Sequence, residues 1–227
     1  MKAIILAAGK GERLMPLTSD RPKSLLELED GITLLESQLI NINKSGINKV
    51  IIVTGYHTEK IESKVELYSE KYNIDIKIIY NPFFDISNNL ISLWQARYEM
   101  TSDFIIINGD DIFKESVLSG LLEHNKNEKI LKVSKKIPLG EANGESIGMI
   151  RVTGEARKIM VDTMEEMVRN KKNMKVFYLE MIQELINKGI LVGLYEISSK
   201  DWAEIDFHPD LEDIQKMIST FNKDWIN

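Results

Sequence analysis

Two groups of residues in this chain have types and spacing suited to phosphate chemistry. Ala7-Ala8-Gly9-Lys10-Gly11-Glu12-Arg13-Leu14 follow a short apolar run. Glycines there let backbone approach phosphate oxygens closely, and Lys10 and Arg13 add charge-assisted donors. Two familiar phosphate loops do not fit: Lys10 is followed by Gly11 rather than Ser or Thr, and Leu14 stands where the dinucleotide fingerprint has its third glycine. Taken alone, the Gly-x-Gly also fits a tight strand-to-helix turn. The second group is Asn108-Gly109-Asp110-Asp111, at the end of the apolar run Phe104-Ile105-Ile106-Ile107. A carboxylate at the carboxyl end of a strand, beside a glycine, can take one side of a hydrated Mg²⁺ that also contacts phosphate. Adjacent aspartates are also a turn signal, but the long apolar run before them and the glycine-rich stretch upstream favour the metal, which commonly takes one or two carboxylates plus phosphate and water.

The elements that would hold these groups alternate. Residues 3–7, 50–54, 76–80 and 104–108 are short, apolar or β-branched runs, the pattern of strands covered on both faces. Between them, residues 33–45, 58–71 and 89–99 carry helical periodicity, with Leu34, Leu35, Leu39 and Ile42 on one face of the first. Strand alternating with helix predicts right-handed crossovers and a mainly parallel sheet, whose carboxyl ends would present the ligand site. Beyond Asp111 the expectation is helices over 116–125, 154–169, 177–188 and 210–221, and strands over 130–136, 146–152 and 191–197. No repeat, low-complexity tract or long linker interrupts the chain.

The 227 residues, 43% of them hydrophobic, are enough for one α/β domain with a sizeable core. The expected division is a nucleotide-binding half, 1–111, and an acceptor-binding half, 112–227. The net charge of −6 argues against a nucleic-acid or anionic-membrane surface and toward small-molecule partners. With no cysteine, there is no disulfide framework and no thiolate chemistry, so any metal must be held by oxygen or imidazole. The apolar N-terminal run is too short to span a bilayer and has no signal-peptide cleavage pattern after it, so a cytoplasmic location is expected.

Further residues make the first loop specific. Pro16-Leu17-Thr18 and Arg21-Pro22-Lys23-Ser24-Leu25-Leu26 complete a pattern A-A-G-x-G-x-R-L-x-P-L-T-x-x-x-P-K-x-L-L, followed by Leu34-Leu35-Glu36, Gly46-Ile47-Asn48-Lys49-Val50 and Ile52-Val53-Thr54-Gly55-Tyr56. This resembles the signature of the nucleotidyltransferase family that makes nucleotide sugars and related activated head groups, and the likeness covers most of the chain. The resemblance implies a Rossmann-like three-layer α/β/α fold, GT-A-like, with a mainly parallel central sheet. It also implies attack of an acceptor phosphate or phosphonate oxygen on the α-phosphorus of a nucleoside triphosphate, with pyrophosphate leaving. By the same resemblance, Leu6, Ala7, Ala8, Gly9, Lys10 and Gly11 would hold the nucleotide. Arg13 would bind the β- and γ-phosphates, and Lys23 would lie over the α-phosphate and the acceptor. Asp110 and Asp206, the latter in Trp202-Ala203-Glu204-Ile205-Asp206, would ligate Mg²⁺.

Asn81-Pro82-Phe83-Phe84 and Asn88-Asn89-Leu90-Ile91-Ser92-Leu93-Trp94 look closest to the branch of the family that uses CTP with phosphocholine, 2-aminoethylphosphonate or a similar amine-bearing acceptor. Asn89 and Ser92 could present an amide and a hydroxyl to a pyrimidine edge; the alternative is that Asn88 caps the following helix and Ser92 faces solvent. Asp111, Glu145 of Gly144-Glu145-Ser146-Ile147-Gly148, Tyr178, Glu180 and Trp202 are the expected acceptor-side residues, where an ammonium would suit an aromatic and acidic lining. Core packing is an equal alternative for Tyr178 and Trp202. The stretch between Asp110 and Gly144 is shorter than the family pattern, which bears on the acceptor side. A sugar-1-phosphate nucleotidyltransferase using UTP, dTTP or GTP, and a nucleotide-binding regulatory subunit without turnover, are the alternatives. A homodimer is left open, and cell-surface polysaccharide or phosphonate biosynthesis is the setting the resemblance implies.

Overall fold

A computed structural model of the chain describes residues 1–125, 128–221 and 225. The strands are β1 Lys2–Ala7, β2 Glu27–Glu29, β3 Ile32–Thr33, β4 Lys49–Thr54, β5 Asp75–Tyr80, β6 Phe104–Asn108, β7 Asp111–Phe113, β8 Ile150–Val152 and β9 Trp202–Glu204. The α-helices are α1 Leu34–Lys44, α2 Thr58–Tyr72, α3 Asn89–Gln95, α4 Glu115–Glu123, α5 Ala156–Val168, α6 Tyr178–Asn187 and α7 His208–Phe221. Five strands form the central sheet in the order β5-β4-β1-β6-β8, parallel except for β8, which runs antiparallel to β6. Strand β1 lies in the middle, so the glycine loop that follows it emerges at the centre of the carboxyl-end edge.

Alternation along the strands sends side chains to two separate cores. Ala3, Ile5, Ile52, Ile105 and Ile107 pack with Leu35, Leu39 and Ile42 of α1, Ile61 and Tyr68 of α2, and Val117 and Leu118 of α4. Ile4, Ile51, Val53, Phe104 and Ile106 pack on the other face with Leu90 and Leu93 of α3, Met160 and Met164 of α5, and Tyr178, Met181 and Leu185 of α6. Helices therefore cover both faces, giving the expected three layers with a mainly parallel sheet. Each large apolar side chain fully buried in this way contributes about 1.5–3 kcal/mol relative to exposure.

A third, smaller core positions the chemistry. Leu14, Leu26, Leu28, Leu34, Ile112 and Ile205 meet Leu211, Ile214 and Ile218 of α7. Leu14 follows Arg13, Ile112 follows Asp111, and Ile205 lies between Glu204 and Asp206, so apolar anchors from distant parts of the chain bring polar neighbours to one place. No described helix is long and apolar enough to cross a membrane.

Several expectations are corrected. Residues 130–136 and 191–197 are not regular strands: an isolated bridge joins Lys129 to Gly193, with Ile130 N–H donating to the Val192 carbonyl. Val133, Val192 and Ile197 pack against the cores, but Leu131 is 80% exposed and Leu191 55%, so these stretches are only partly covered. The strand expected over 146–152 shrinks to β8, and the helix expected over 89–99 ends at Gln95, with a separate 3-10 turn over Arg97–Glu99. The later residues extend the central sheet by β8 alone, while β7 and β9 form their own antiparallel ribbon.

Candidate active site

Gly11 is in the left-handed region (φ 64°), and a Cβ there would stand 3.1 Å from Lys23 Cβ and 3.2 Å from Thr18 Cγ2. A side chain would thus be strained by backbone conformation as well as space. The Thr18 hydroxyl donates to the Gly11 carbonyl at 2.9 Å, and the Tyr56 hydroxyl donates to the Ser19 carbonyl at 3.0 Å, pinning the loop's return path. Pro22 is extended and leads into a 3-10 turn over Lys23–Leu25. Ser24 and Leu25 are buried, which leaves Lys23 directed back across the loop.

Lys23 Nζ lies 2.9 Å from Asp110 Oδ2 and 3.0 Å from Asp206 Oδ1, and Arg13 Nη1 lies 2.8 Å from Asp206 Oδ2. Burial works against the Lys23 ammonium, but the charge and hydrogen bonds of Asp110 and Asp206 outweigh it and hold its pKa above the ordinary lysine value. The Ile205 N–H donates to the Asp110 carbonyl at 3.1 Å, fixing β9 against the aspartate loop. Asp210 caps the turn after Asp206 through the N–H groups of Asp206 and Phe207. From α1, the Gln38 amide donates to the carbonyls of Asn108 and Asp111, gripping both ends of the loop that carries Asp110. Gly109 allows the tight passage: its N–H donates to the Leu6 carbonyl at 3.0 Å, where no side chain would fit.

Carboxylate oxygens of Asp110, Glu204 and Asp206 all lie within 4.8 Å of one another. A hard cation with metal–oxygen distances of about 2.1 Å could draw on all three after small side-chain movements, and an all-oxygen set suits Mg²⁺. The residues present therefore fit the metal. Glu204 was not among the residues expected from sequence, although extended backbone places positions 204 and 206 on one side; that period was the available signal. Burial, then the charges of Asp110 and Asp206, raise its carboxyl above the ordinary value.

Asp111 is not at the surface of this cluster. It is 1% exposed, and the Trp202 indole N–H is the hydrogen-bonding group beside its carboxyl that favours the charged form. Burial, reinforced by the charges of Asp110 and Glu204, pushes it well above the usual carboxylate range. Trp202 pairs with Phe113 in the β7–β9 ribbon and packs against the first core. Tyr178 is 1% exposed; its hydroxyl lies 3.0 Å from the Gly148 carbonyl and 3.2 Å from Asn108 Oδ1. Both aromatics thus take up packing roles, and Tyr178 supports the strand end from beneath.

Of the groups expected at the pyrimidine edge, the Asn89 side-chain oxygen and the Ser92 hydroxyl have partners within the protein. Asn89 Oδ1 accepts from the Tyr178 N–H at 2.8 Å, and Ser92 Oγ, nearly buried, accepts from Asn81 Nδ2 at 3.0 Å. Asn88 does cap α3, but Ser92 does not face solvent. Lys10 Nζ stands 5.9 Å from the Phe84 ring centroid, Glu145 is exposed, and Glu180 sits half-buried in the first turn of α6. Leu6 and Ala8 each offer a backbone carbonyl already engaged, to Gly109 and Tyr56 respectively.

The family profile for nucleotidyl transferases matches residues 2–190. A choline-phosphate cytidylyltransferase of Streptococcus pneumoniae is 34% identical over 114 residues, which is 50% of this chain and 47% of that protein. A CTP:phosphoglutamine cytidylyltransferase of Campylobacter jejuni is 27% identical over an alignment covering 93% of this chain and 98% of that one. Among solved structures, a CTP:phosphocholine cytidylyltransferase from Streptococcus pneumoniae shares the fold with a TM-score of 0.74, 24% identity and coverage of 96% and 98% of the two chains.

Proposed function

The chain belongs to the nucleotidyl transferase family, and on that premise we propose that it is a magnesium-dependent cytidylyltransferase, moving CMP from CTP to a small phosphorylated or phosphonylated amino compound and releasing pyrophosphate. The observation that carries this reading is Lys23 bridging Asp110 and Asp206 at the mouth of the glycine loop. The cytidylyl choice is supported by the relatives whose names include CTP or cytidylyl transfer, one of them aligned over nearly its whole length.

In the proposed reaction an oxygen of the acceptor phosphoryl group bonds to the α-phosphorus while the bond to the bridging oxygen of pyrophosphate breaks. Two anions must approach, so the protein's task is positioning and charge neutralisation more than proton transfer. Backbone N–H groups of Gly9 to Gly11 and the Lys10 and Arg13 side chains receive the triphosphate. Lys23 exchanges a carboxylate for phosphate oxygens and spans donor and acceptor, as a compact ammonium can. Asp110, Glu204 and Asp206 would hold the metal, with Gln38 and Ile205 keeping the Asp110 loop and β9 in register. When bound, Mg²⁺ supplies Lewis-acid neutralisation of phosphate charge. Glu145 and Glu180 face the acceptor side, while Asp111, Tyr178 and Trp202 shape it from behind. The convergence of Lys23, Asp110 and Asp206 argues against a regulatory subunit without turnover, which has no use for all three.

The test is pyrophosphate release with Mg²⁺, comparing CTP, UTP, dTTP, GTP and ATP against phosphocholine, 2-aminoethylphosphonate, amino-acid phosphates and hexose 1-phosphates. Turnover with CTP and an amine-bearing acceptor is expected. Turnover with hexose 1-phosphates alone would replace this reading by the sugar-1-phosphate one.

A further inference from the structure

Helix α1 carries two amides where a core helix has every reason to be apolar. Gln38 and Asn41 are almost fully buried, one turn apart on the helix whose Leu35, Leu39 and Ile42 lie in the first core. Burying an amide is unfavourable unless both of its halves are bonded. Here only the donors are, because Gln38 Oε1 and Asn41 Oδ1 have no hydrogen-bond partner among the described residues. The N–H groups therefore account for the placement. Gln38 Nε2 lies 2.6 Å from the Asp111 carbonyl oxygen and 2.9 Å from that of Asn108. Asn41 Nδ2 lies 2.7 Å from the Phe113 carbonyl oxygen and 3.2 Å from that of Trp225.

Asp111 and Phe113 are the first and last residues of β7, and carbonyls two residues apart leave a strand by the same edge. β9 pairs along β7 in the register Asp111 with Glu204, Ile112 with Ala203 and Phe113 with Trp202, and so takes the other edge. The two amides of α1 stand where a third strand would. A two-stranded ribbon is only marginally stable by itself, and among the described residues this one forms no ladder with the central sheet. Yet it carries the whole carboxylate cluster: Asp110 immediately precedes β7, Glu204 ends β9 and Asp206 follows it.

We propose that Asn41 acts with Gln38 as a pair of positioning residues for the metal carboxylates: by holding the free carbonyl edge of β7 they fix where Asp110 stands against Glu204 and Asp206, and so set the affinity for Mg²⁺. The proposal rests on the three-carboxylate reading of the metal site and extends it to a helix that supplies no ligand. An apolar side chain of the same size would fill the space without gripping the strand.

Calorimetric titration of the intact protein with Mg²⁺ reads the effect without turnover. Asn41→Leu and Gln38→Met keep the volume and remove the donor, and each should raise the Mg²⁺ dissociation constant about tenfold, the scale seen when a group that orients a metal ligand is lost. Leu39→Val is the control: it loosens the same helix from the first core without touching β7, and should lower the urea midpoint while leaving the Mg²⁺ constant unchanged. Should one amide variant fail to fold, the other carries the test. Variants that lose stability but bind Mg²⁺ as the wild type does, or a Leu39→Val protein that weakens Mg²⁺ as much as they do, would overturn the proposal and leave the metal site standing. A wild type that takes up no Mg²⁺ would overturn the metal-site reading and this proposal with it.

Discussion

Lys23 and Asp206 are 183 residues apart in sequence, yet Nζ and Oδ1 lie 3.0 Å apart, and the same ammonium stands 2.9 Å from Asp110 Oδ2. The Lys23 side chain is only 12% exposed, so this is a charge held out of water by two opposite ones. Its position is set by local geometry on both sides: the turn after Pro22 aims it inward, and Ile205 anchors the strand end that carries Asp206.

Lys23→Met keeps most of the apolar stem and removes the charge. Turnover should fall roughly a hundredfold or more, the scale expected when a fixed donor to the transition state is lost, while circular dichroism remains that of the wild type. Lys23→Arg should rescue poorly, because a planar guanidinium cannot reproduce a point contact between two carboxylates. Unchanged kcat in Lys23→Met would remove this residue from the mechanism.

Metal binding separates a two-carboxylate site from a three-carboxylate one. Asp206→Asn and Asp110→Asn should each raise the Mg²⁺ dissociation constant by roughly tenfold or more, since even outer-sphere partners cost that much. Glu204→Gln should do the same if all three oxygens share the ion as their spacing suggests. A magnesium titration that moves for Asp110 and Asp206 but not for Glu204 would leave Glu204 a charge near the site and no ligand.

The parts of this site legible in sequence are those fixed by short-range chemistry. The glycine loop, the proline before Lys23 and the carboxylates at strand ends each have a local cause, and the buried runs of β1, β4 and β6 announce a sheet covered on both sides. Gln38 was not legible as a site residue: nothing in α1 says that its amide will reach the Asn108 and Asp111 carbonyls 70 and 73 residues away. The role of Asp111 was equally hidden, because whether a second aspartate faces ligand or core depends on the β7–β9 pairing. Residues 130–136 differ for the opposite reason: alternation is a local property, but a strand needs a continuous ladder, and here pairing stops after the Lys129–Gly193 bridge and the Ile130 hydrogen bond while Leu131 stays exposed.

Gly109 is a steric rather than a chemical requirement. A Cβ built there would lie 2.6 Å from the Leu6 carbonyl oxygen and 2.9 Å from Ala7 Cα, both backbone atoms of the central strand that cannot move aside cheaply. Gly109→Ala should therefore cost about 1–3 kcal/mol in denaturant unfolding, as overpacking typically does, and weaken Mg²⁺ binding by displacing Asp110. Gly144→Ala, where nothing lies within 4 Å of the added atom, is the matched control and should be near neutral. Equal stability of the two variants would show that the strand end yields more easily than its packing implies.

The pairing of α1 with α2 should make stability depend on pH at both extremes. Glu36 on α1 has a side chain only 9% exposed, and its Oε1 accepts from the Tyr72 hydroxyl and from Lys71 Nζ on α2. Burial alone would raise its carboxyl, but those two hydrogen bonds outweigh burial and hold it below the ordinary 4.5. A depressed carboxylate contributes stability that is present above about pH 4.5 and lost as pH falls through the lower native value. For Tyr72 the sign reverses: burial first, then the hydrogen bond to Glu36, push the phenol from 10.0 to about 12. That contribution is complete below pH 10 and disappears as pH rises toward 12 and beyond. Glu36→Gln should cost about 1–3 kcal/mol near neutral pH, since it replaces charge-assisted hydrogen bonds with neutral ones in a buried setting. It should also flatten the acid limb of a plot of urea midpoint against pH. Wild-type and variant curves that run parallel from pH 3 to 7 would mean that Glu36 is not the group whose protonation loosens α1 from α2.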